Sequence, residues 1–271
     1  MTTPDKNRTL RPSPKESGKV PGSGSLRPAF SWYRNHRKGV LCCTALVAVL
    51  IVVYFIPTGY LAVYPGPVKP VREIVSVEGH DASTGQLYMV LVTVKETNLY
   101  EALYAVLSPK IALWSKHAVF GGLSLEEYTQ KARQEMQESQ RLAAEMAFEM
   151  SGYSVMPGEP LPLKVTLDTG DAGGPSAGLV FFLEILSRLM PEQFEPLGKV
   201  AGTGILHPDG TIGAVGGIEQ KTIAARDAGI EYFIVPWQNT ESARRYAGTM
   251  KIFPVRDCEE ALKVLRQLSD K

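Results

Sequence analysis

The stretch GDAGGPSAGL, Gly170 to Leu179, sets four glycines and one proline around a single serine where a loop turns into a helix. Pro175 suits the first helical position, because its missing N–H is one of the donors a helix start leaves unpaired anyway. Ser176 then falls in the first turn, among free backbone N–H groups at the positive end of the helix dipole. Such a place can hold an oxyanion, and it can equally hold a phosphate. Small neighbours let a substrate backbone come close. The loop alone leaves two readings open, a reactive serine or an ordinary helix-start serine in a glycine-rich turn.

Working outward, the pattern around this loop is α/β. A strand is expected over Leu161 to Leu167 and a helix over Ser176 to Met190. Next come a strand over Lys199 to Leu206, the turn HPDG (His207 to Gly210) and a strand over Thr211 to Val215. Gly216 and Gly217 open a helix over Ile218 to Ala228, which Gly229 ends. Strand Tyr232 to Val235, helix Thr240 to Tyr246, strand Lys251 to Val255 and a last helix starting on a capping box, Asp257 with Glu260, complete the chain.

Upstream, Val71 to Val77 and Leu87 to Val94 read as an antiparallel pair flanking a turn-rich segment, and Asn98 to Leu107 has helical spacing. A long helix starts on the capping box Ser124 with Glu127. Its stripe Leu125, Tyr128, Ala132, Met136, Ser139, Ala143, Met146, Met150 repeats at three- and four-residue steps, which suits a face packed on the core.

The charges are unevenly placed. Residues 1–38 hold nine Lys or Arg against two acidic residues, and the chain beyond them holds 20 basic and 26 acidic residues. Residues 39–56 carry no charge, and as a helix they would span roughly 27 Å, close to the ~30 Å hydrocarbon core of a bilayer. Tyr54, Tyr60 and Tyr64 suit an aromatic belt at the far end, and Arg34, Arg37 and Lys38 flank the near end. We therefore expect a disordered basic cytoplasmic tail (1–38), one transmembrane helix (39–56) and a stiff stalk (57–70). After these come the N-terminal part of an external region (71–160) and a catalytic domain (161–271). Cys42 and Cys43 lie in the apolar run, so Cys258 is alone outside it and no disulfide can tie the external part.

A nucleophilic serine needs a group to take its proton. His36 lies on the flank of the apolar run, and His80, His117 and His207 fall in turn-like or irregular segments with no triad context. A lysine can serve if burial leaves it neutral. Lys221, in the first turn of the helix opened by Gly216 and Gly217, is placed for that; a solvated surface lysine is the plain alternative.

GGPSAG (Gly173 to Gly178), VAGTG (Val200 to Gly204) and GGIEQK (Gly216 to Lys221), in that order, resemble the proteolytic domain of the Lon family. The resemblance runs from about Leu161 to the C-terminus and implies an α/β (α+β) Lon-type fold with a Ser176–Lys221 dyad. It implies that Thr203 lies close to the dyad lysine, and that backbone N–H groups around Gly174, Pro175 and Ser176 form the oxyanion site. With the apolar run in front, the layout resembles the membrane-anchored, Lon-like peptidases of bacteria, which implies ATP-independent endopeptidase activity and a possible ring-like homo-oligomer.

Three departures stand out. The chain contains no GxxxxGK[ST] loop. Only about ten residues (151–160) separate the long helix from the protease strand, whereas a PDZ domain, as in many anchored relatives, needs at least ~50. Gly173 stands where the serine loop of classical Lon sequences has an Asp. No cofactor, metal or nucleic-acid partner is expected; the partners are a polypeptide substrate and the membrane. Two other classes compete: a small-molecule kinase holding ATP phosphates on the Gly-Ser loop, and a membrane-anchored peptide-binding or assembly module with a latent or inactive protease fold.

Overall fold

The computed structural model describes residues 27–81, 85–156, 159–193 and 198–269; most of the expected basic tail lies outside them. Two units divide at Val52/Val53. The first contains most of helix α1 (Arg27–Tyr54), which begins within the expected tail rather than at the apolar run. Its window His36–Tyr54 has a mean hydropathy of 1.9, is not buried, and is long and apolar enough to cross a membrane.

The second unit follows the order β1 (Pro57–Pro70), β2 (Val75–Val77), β3 (Gln86–Asn98), α2 (Leu99–Leu107), β4 (Ala112–Ser115), α3 (Lys116–Phe120), α4 (Leu125–Met150), β5 (Val165–Leu167) and α5 (Gly178–Leu189). It continues through β6 (Lys199–Gly202), β7 (Ile205–Leu206), β8 (Ile212–Gly213), α6 (Ile218–Asp227), β9 (Tyr232–Pro236), α7 (Thr240–Tyr246), β10 (Lys251–Val255) and α8 (Cys258–Ser269). A six-stranded mixed sheet in the order β10-β9-β6-β3-β1-β4 carries the domain. The pairs from β10 through β9 and β6 to β3 are parallel, and β1 joins β3 and β4 antiparallel.

Side chains alternate across this sheet as a strand's period of two demands. Leu87, Met89, Val200, Ile234 and Val255 face one core with α4, α5 and α8. Val90, Ala201, Phe233 and Val235 face a second core with α6 and α7. Helices on both faces leave the carboxyl ends of the parallel strands as a crevice between layers, where open α/β sheets place ligands.

Two upstream expectations are corrected. Residues 57–70 are not a free stalk but a strand inside the sheet, with Leu61, Ala62 and Val63 fully buried. The prolines are tolerated because β4 covers only Tyr60 to Val63, leaving Pro65 onward open on that side, and the ladder to β3 shifts register between Pro65 and Val68. Gly66 fits that shift, since a Cβ there would lie 2.6 Å from the Leu91 carbonyl oxygen. The expected Val71–Val77 partner of β3 does not pair with it either. It shortens to β2 and pairs with β5 as a separate ribbon.

Smaller differences follow from glycine and proline. The strand expected over 199–206 breaks after Gly202 into β6 and β7, the one expected over 161–167 keeps only its last three residues, and the helix after Pro175 starts with a 3-10 turn, Pro175–Ala177. The capping box of α4 forms in full, whereas in α8 Asp257 caps the Glu260 N–H while Glu260 reaches back to the Arg256 N–H instead. The buried stripe of α4 runs through Met136, Ser139, Ala143, Ala144, Ala147 and Phe148, and the ends of the expected stripe, Leu125 and Met150, are exposed.

Candidate active site

The serine loop is positioned by α4, which lies across it. The Gly174 N–H donates to the Ala132 carbonyl at 2.8 Å, and the Ser139 hydroxyl donates to the Pro175 carbonyl at 3.1 Å. Gln140 Nε2 adds a bond to Thr169 Oγ1 at 3.2 Å on the loop's other side. The glycines permit this approach: a Cβ on Gly173 would come within 3.1 Å of Ala132 Cβ, and one on Gly178 within 2.6 Å of Ser139 Oγ. Gly174 has φ of 89°, a left-handed value that glycine adopts without strain.

From the other side, the loop is tied to the crevice at the end of β6. The Ser176 carbonyl accepts the Gly204 N–H at 2.9 Å and the Thr203 hydroxyl at 3.0 Å. The strand must be thin there, because Cβ atoms on Gly202 and Gly204 would meet Val180 and Leu179 of α5 at 3.3 Å. Thr203 thus lies at the carboxyl end of β6, below the serine.

Lys221 arrives from α6 on the opposite face of the sheet. Gly217, with φ of 65°, opens α6 in the left-handed region. Both members of the glycine pair are closely covered, Gly216 by the Trp114 ring at 3.2 Å and Gly217 by Val92 Cγ1 at 3.0 Å from where a Cβ would lie. Trp114 of β4 and Val92 of β3 therefore bound the start of α6. One turn later Lys221 reaches into the crevice, its Nζ 2.7 Å from Ser176 Oγ and 2.9 Å from Thr203 Oγ1.

Lys221 is 3% exposed and Thr203 1%, and among the described residues no carboxylate bonds the lysine to repay its burial. Burial therefore drives the ammonium down from its usual pKa of 10.5 to about 7. The geometry agrees with a neutral amine. Its lone pair can accept the Ser176 hydroxyl proton while one N–H donates to Thr203 Oγ1. An ammonium would bring three donors to two oxygens at a buried position.

The dyad opens into a cleft of about 510 Å³, lined by Pro67 and Lys69 of β1, Leu91 to Val94 of β3, and Asp171 to Gly173 of the loop. This volume lies within the usual range for ligand sites. Ser176 is half-buried at its floor.

The structure thus brings Ser176, Lys221 and Thr203 into bonding contact, and it places Gly174 and Pro175 at the turn before the serine. It alters the expected oxyanion donors. Pro175 has no N–H, the Gly174 N–H is occupied by Ala132, and the 3-10 turn Pro175–Ala177 takes up the Ala177 N–H, so the remaining amide at this helix start is that of Ser176. His207 stays in the β7–β8 turn, its N–H bonded to the Thr211 carbonyl. Ala132, Ser139 and Trp114 did not stand out in the sequence as parts of the site. A polar Ser139 on the buried stripe of α4 was the available signal.

Residues 163–267 match the family described as "Lon protease (S16) C-terminal proteolytic domain". Over about a third of its length the chain is 35% identical to a Lon protease of Methanosarcina barkeri and 30% identical to a Lon protease of Buchnera aphidicola subsp. Schizaphis graminum. A mitochondrial Lon protease homolog of Rattus norvegicus is 33% identical over 34% of the chain. The matched parts make up 11–12% of the length of these relatives. Residues 163–267 are therefore similar to the proteolytic domain of Lon proteases, and the chain spans only about an eighth of the length of these relatives.

Proposed function

We propose that this chain is a membrane-anchored serine endopeptidase that cleaves polypeptides at the outer face of the membrane without ATP, with Ser176 as nucleophile and Lys221 as general base. The observation that carries the reading is the 2.7 Å contact between Lys221 Nζ and Ser176 Oγ in a site where burial brings the lysine to about 7. At neutral pH a large share of such a lysine is already an amine.

Lys221 takes the hydroxyl proton as Ser176 Oγ attacks the peptide carbonyl. The Ser176 amide at the helix start stabilises the oxyanion. The resulting ammonium then protonates the leaving amine, which restores the neutral lysine. Water, deprotonated by the same amine, attacks the acyl-enzyme; as the acyl–Oγ bond breaks, the ammonium returns that proton to Ser176 Oγ and the acid product leaves. Thr203 holds the lysine within reach throughout. The anchor reading is supported by the apolar window His36–Tyr54 and the basic flank before it, which by the positive-inside rule leaves the domain outside.

The test is hydrolysis of unfolded casein and a mixed peptide library by the full chain in detergent, without nucleotide, beside Ser176→Ala and Lys221→Ala. Cleavage by the parent that both variants lose is expected. Cleavage that survives in either variant would remove the dyad, and peptide capture without cleavage by the parent would favour a binding module.

A further inference from the structure

Helix α2 is an oddity for a surface element. Of its nine residues, LYEALYAVL, only Ala105 is buried. Leu103, Tyr104, Val106 and Leu107 are 58–75% exposed, and Leu99 is 48% exposed. Its one charged side chain, Glu101, is neutralised by an ion pair with Lys95. Burying such side chains is worth roughly 1.5–3 kcal/mol each, so a contiguous set left in water marks a contact surface.

The position of α2 says what covers it. Asn98, its N-cap, lies opposite Pro57 in the β1–β3 ladder, three residues after Tyr54 closes the apolar helix. Within the same compact unit the Tyr54 and Tyr100 rings stand 6.3 Å apart. If the apolar window spans a bilayer, Tyr54 marks the far boundary of the hydrocarbon, and the headgroup layer beyond it is roughly 6 Å deep. Whatever the tilt of the spanning helix, the start of α2 is then held at interfacial depth. A mixed apolar and tyrosine surface fits that layer, where amphipathic elements bury their apolar side about 5–10 Å.

We infer that α2 is a membrane-interface element: Leu103, Tyr104, Val106 and Leu107 embed in the lipid surface and give the domain a second attachment to the bilayer. The inference rests on the anchor reading above. The contact is apolar, so the partner is the acyl–headgroup boundary of the lipid, with no need for an anionic headgroup. Two attachments restrict the domain's rotation about its tether.

The test uses the full chain in phosphatidylcholine liposomes with a nitrobenzoxadiazole probe on single cysteines, in a Cys42→Ser, Cys43→Ser background. Cys258 is buried, with its thiol pushed up to about 12, and so stays unlabelled. Probes go on Val47→Cys in the apolar window, on Leu103→Cys and Val106→Cys in α2, and on Lys263→Cys on the exposed face of α8. Lipid-borne nitroxide should quench the probes at 47, 103 and 106 several-fold more than the probe at 263. Quenching at 47 with none at 103 and 106 overturns the α2 contact while leaving the anchor intact. No quenching at 47 removes the anchor, and this inference with it. Probes at 103 and 106 that are shielded from aqueous iodide yet untouched by nitroxide would assign the surface to a second copy of the chain and overturn the lipid contact.

Discussion

The hydroxyl of Ser139, midway along α4, donates to the carbonyl of Pro175, the residue just before Ser176, at 3.1 Å. A helix outside the Ser176–Lys221 contact thus holds the backbone that leads into Ser176. Ser139→Ala should lower kcat several-fold with little change in KM, and stability by about 1 kcal/mol, the net value of one hydrogen bond. Because Ser139 Oγ lies 2.6 Å from where a Gly178 Cβ would be, Gly178→Ala and Ser139→Ala should be strongly non-additive, the double variant being more stable than the sum of the singles predicts. Additive losses in thermal denaturation would show that α4 does not set the loop.

Thr203 joins the two halves of the site, accepting from Lys221 and donating to the Ser176 carbonyl. Thr203→Val keeps the shape and removes both bonds. It should lower kcat by roughly 10- to 100-fold, corresponding to about 1–3 kcal/mol for a buried group left without its partner. Thr203→Ser should restore most of that activity. Equal losses in the two variants would reduce Thr203 to a packing residue.

Under the proposed mechanism the active form of Lys221 is the amine, and its pKa is lowered to about 7. The pH profile of kcat/KM should therefore rise through about pH 7 and level off above it. Lys221→Arg should be inactive at every pH in this range, because a guanidinium does not deprotonate. A profile flat from pH 5 to 9 would exclude a titrating lysine.

The same shift predicts a stability effect of definite sign. The folded lysine titrates near 7 and the unfolded one near 10.5. Between these values the unfolded chain binds more protons, so stability rises with pH across that window. Below about pH 7 both states are protonated and the full cost of burying the ammonium, on the order of 5 kcal/mol, is present. Lys221→Met should thus be more stable than the parent at pH 6, with a smaller advantage at pH 9, as read by urea denaturation. An advantage that grows with pH would contradict this assignment.

A second buried charge tests the fold independently of catalysis. Glu184 and Arg188 of α5 form a 2.9 Å ion pair, 0% and 4% exposed at their side chains, and Arg188 also donates to the Arg72 carbonyl. Removing one partner strands the other, so Glu184→Ala should cost about 3–5 kcal/mol. A loss under 1 kcal/mol would mean that water reaches the pair.

Ser176, Lys221 and the helices that carry them were legible because their signals are local. Pro175 at a helix start, a glycine pair before α6, the capping box of α4 and its periodic stripe each act within a few residues. The PGP run of residues 65–67 has equally strong local character, yet it sits in a strand, because a neighbour shorter than β1 leaves that stretch without a partner on one side. Nothing near it in the sequence records how far β4 extends. Likewise, the exposure of α2 cannot be read from an apolar helical run, which serves equally well as a core helix until its neighbours are known.

The sequence by itself determined the α/β class, the serine and lysine proposed as nucleophile and base through their motif resemblance, and an apolar segment ahead of the domain, since composition, periodicity and motif spacing depend on residues near each other along the chain. Only the tertiary structure decided that Ala132 occupies the Gly174 amide, that Ser139 holds Pro175, that Trp114 bounds the start of α6, and that Lys221 is buried enough for its pKa to fall to about 7. Each of these depends on which distant segments meet. A hydrogen bond or a desolvated amine exists only once the packing has excluded water and brought the partner within about 3 Å.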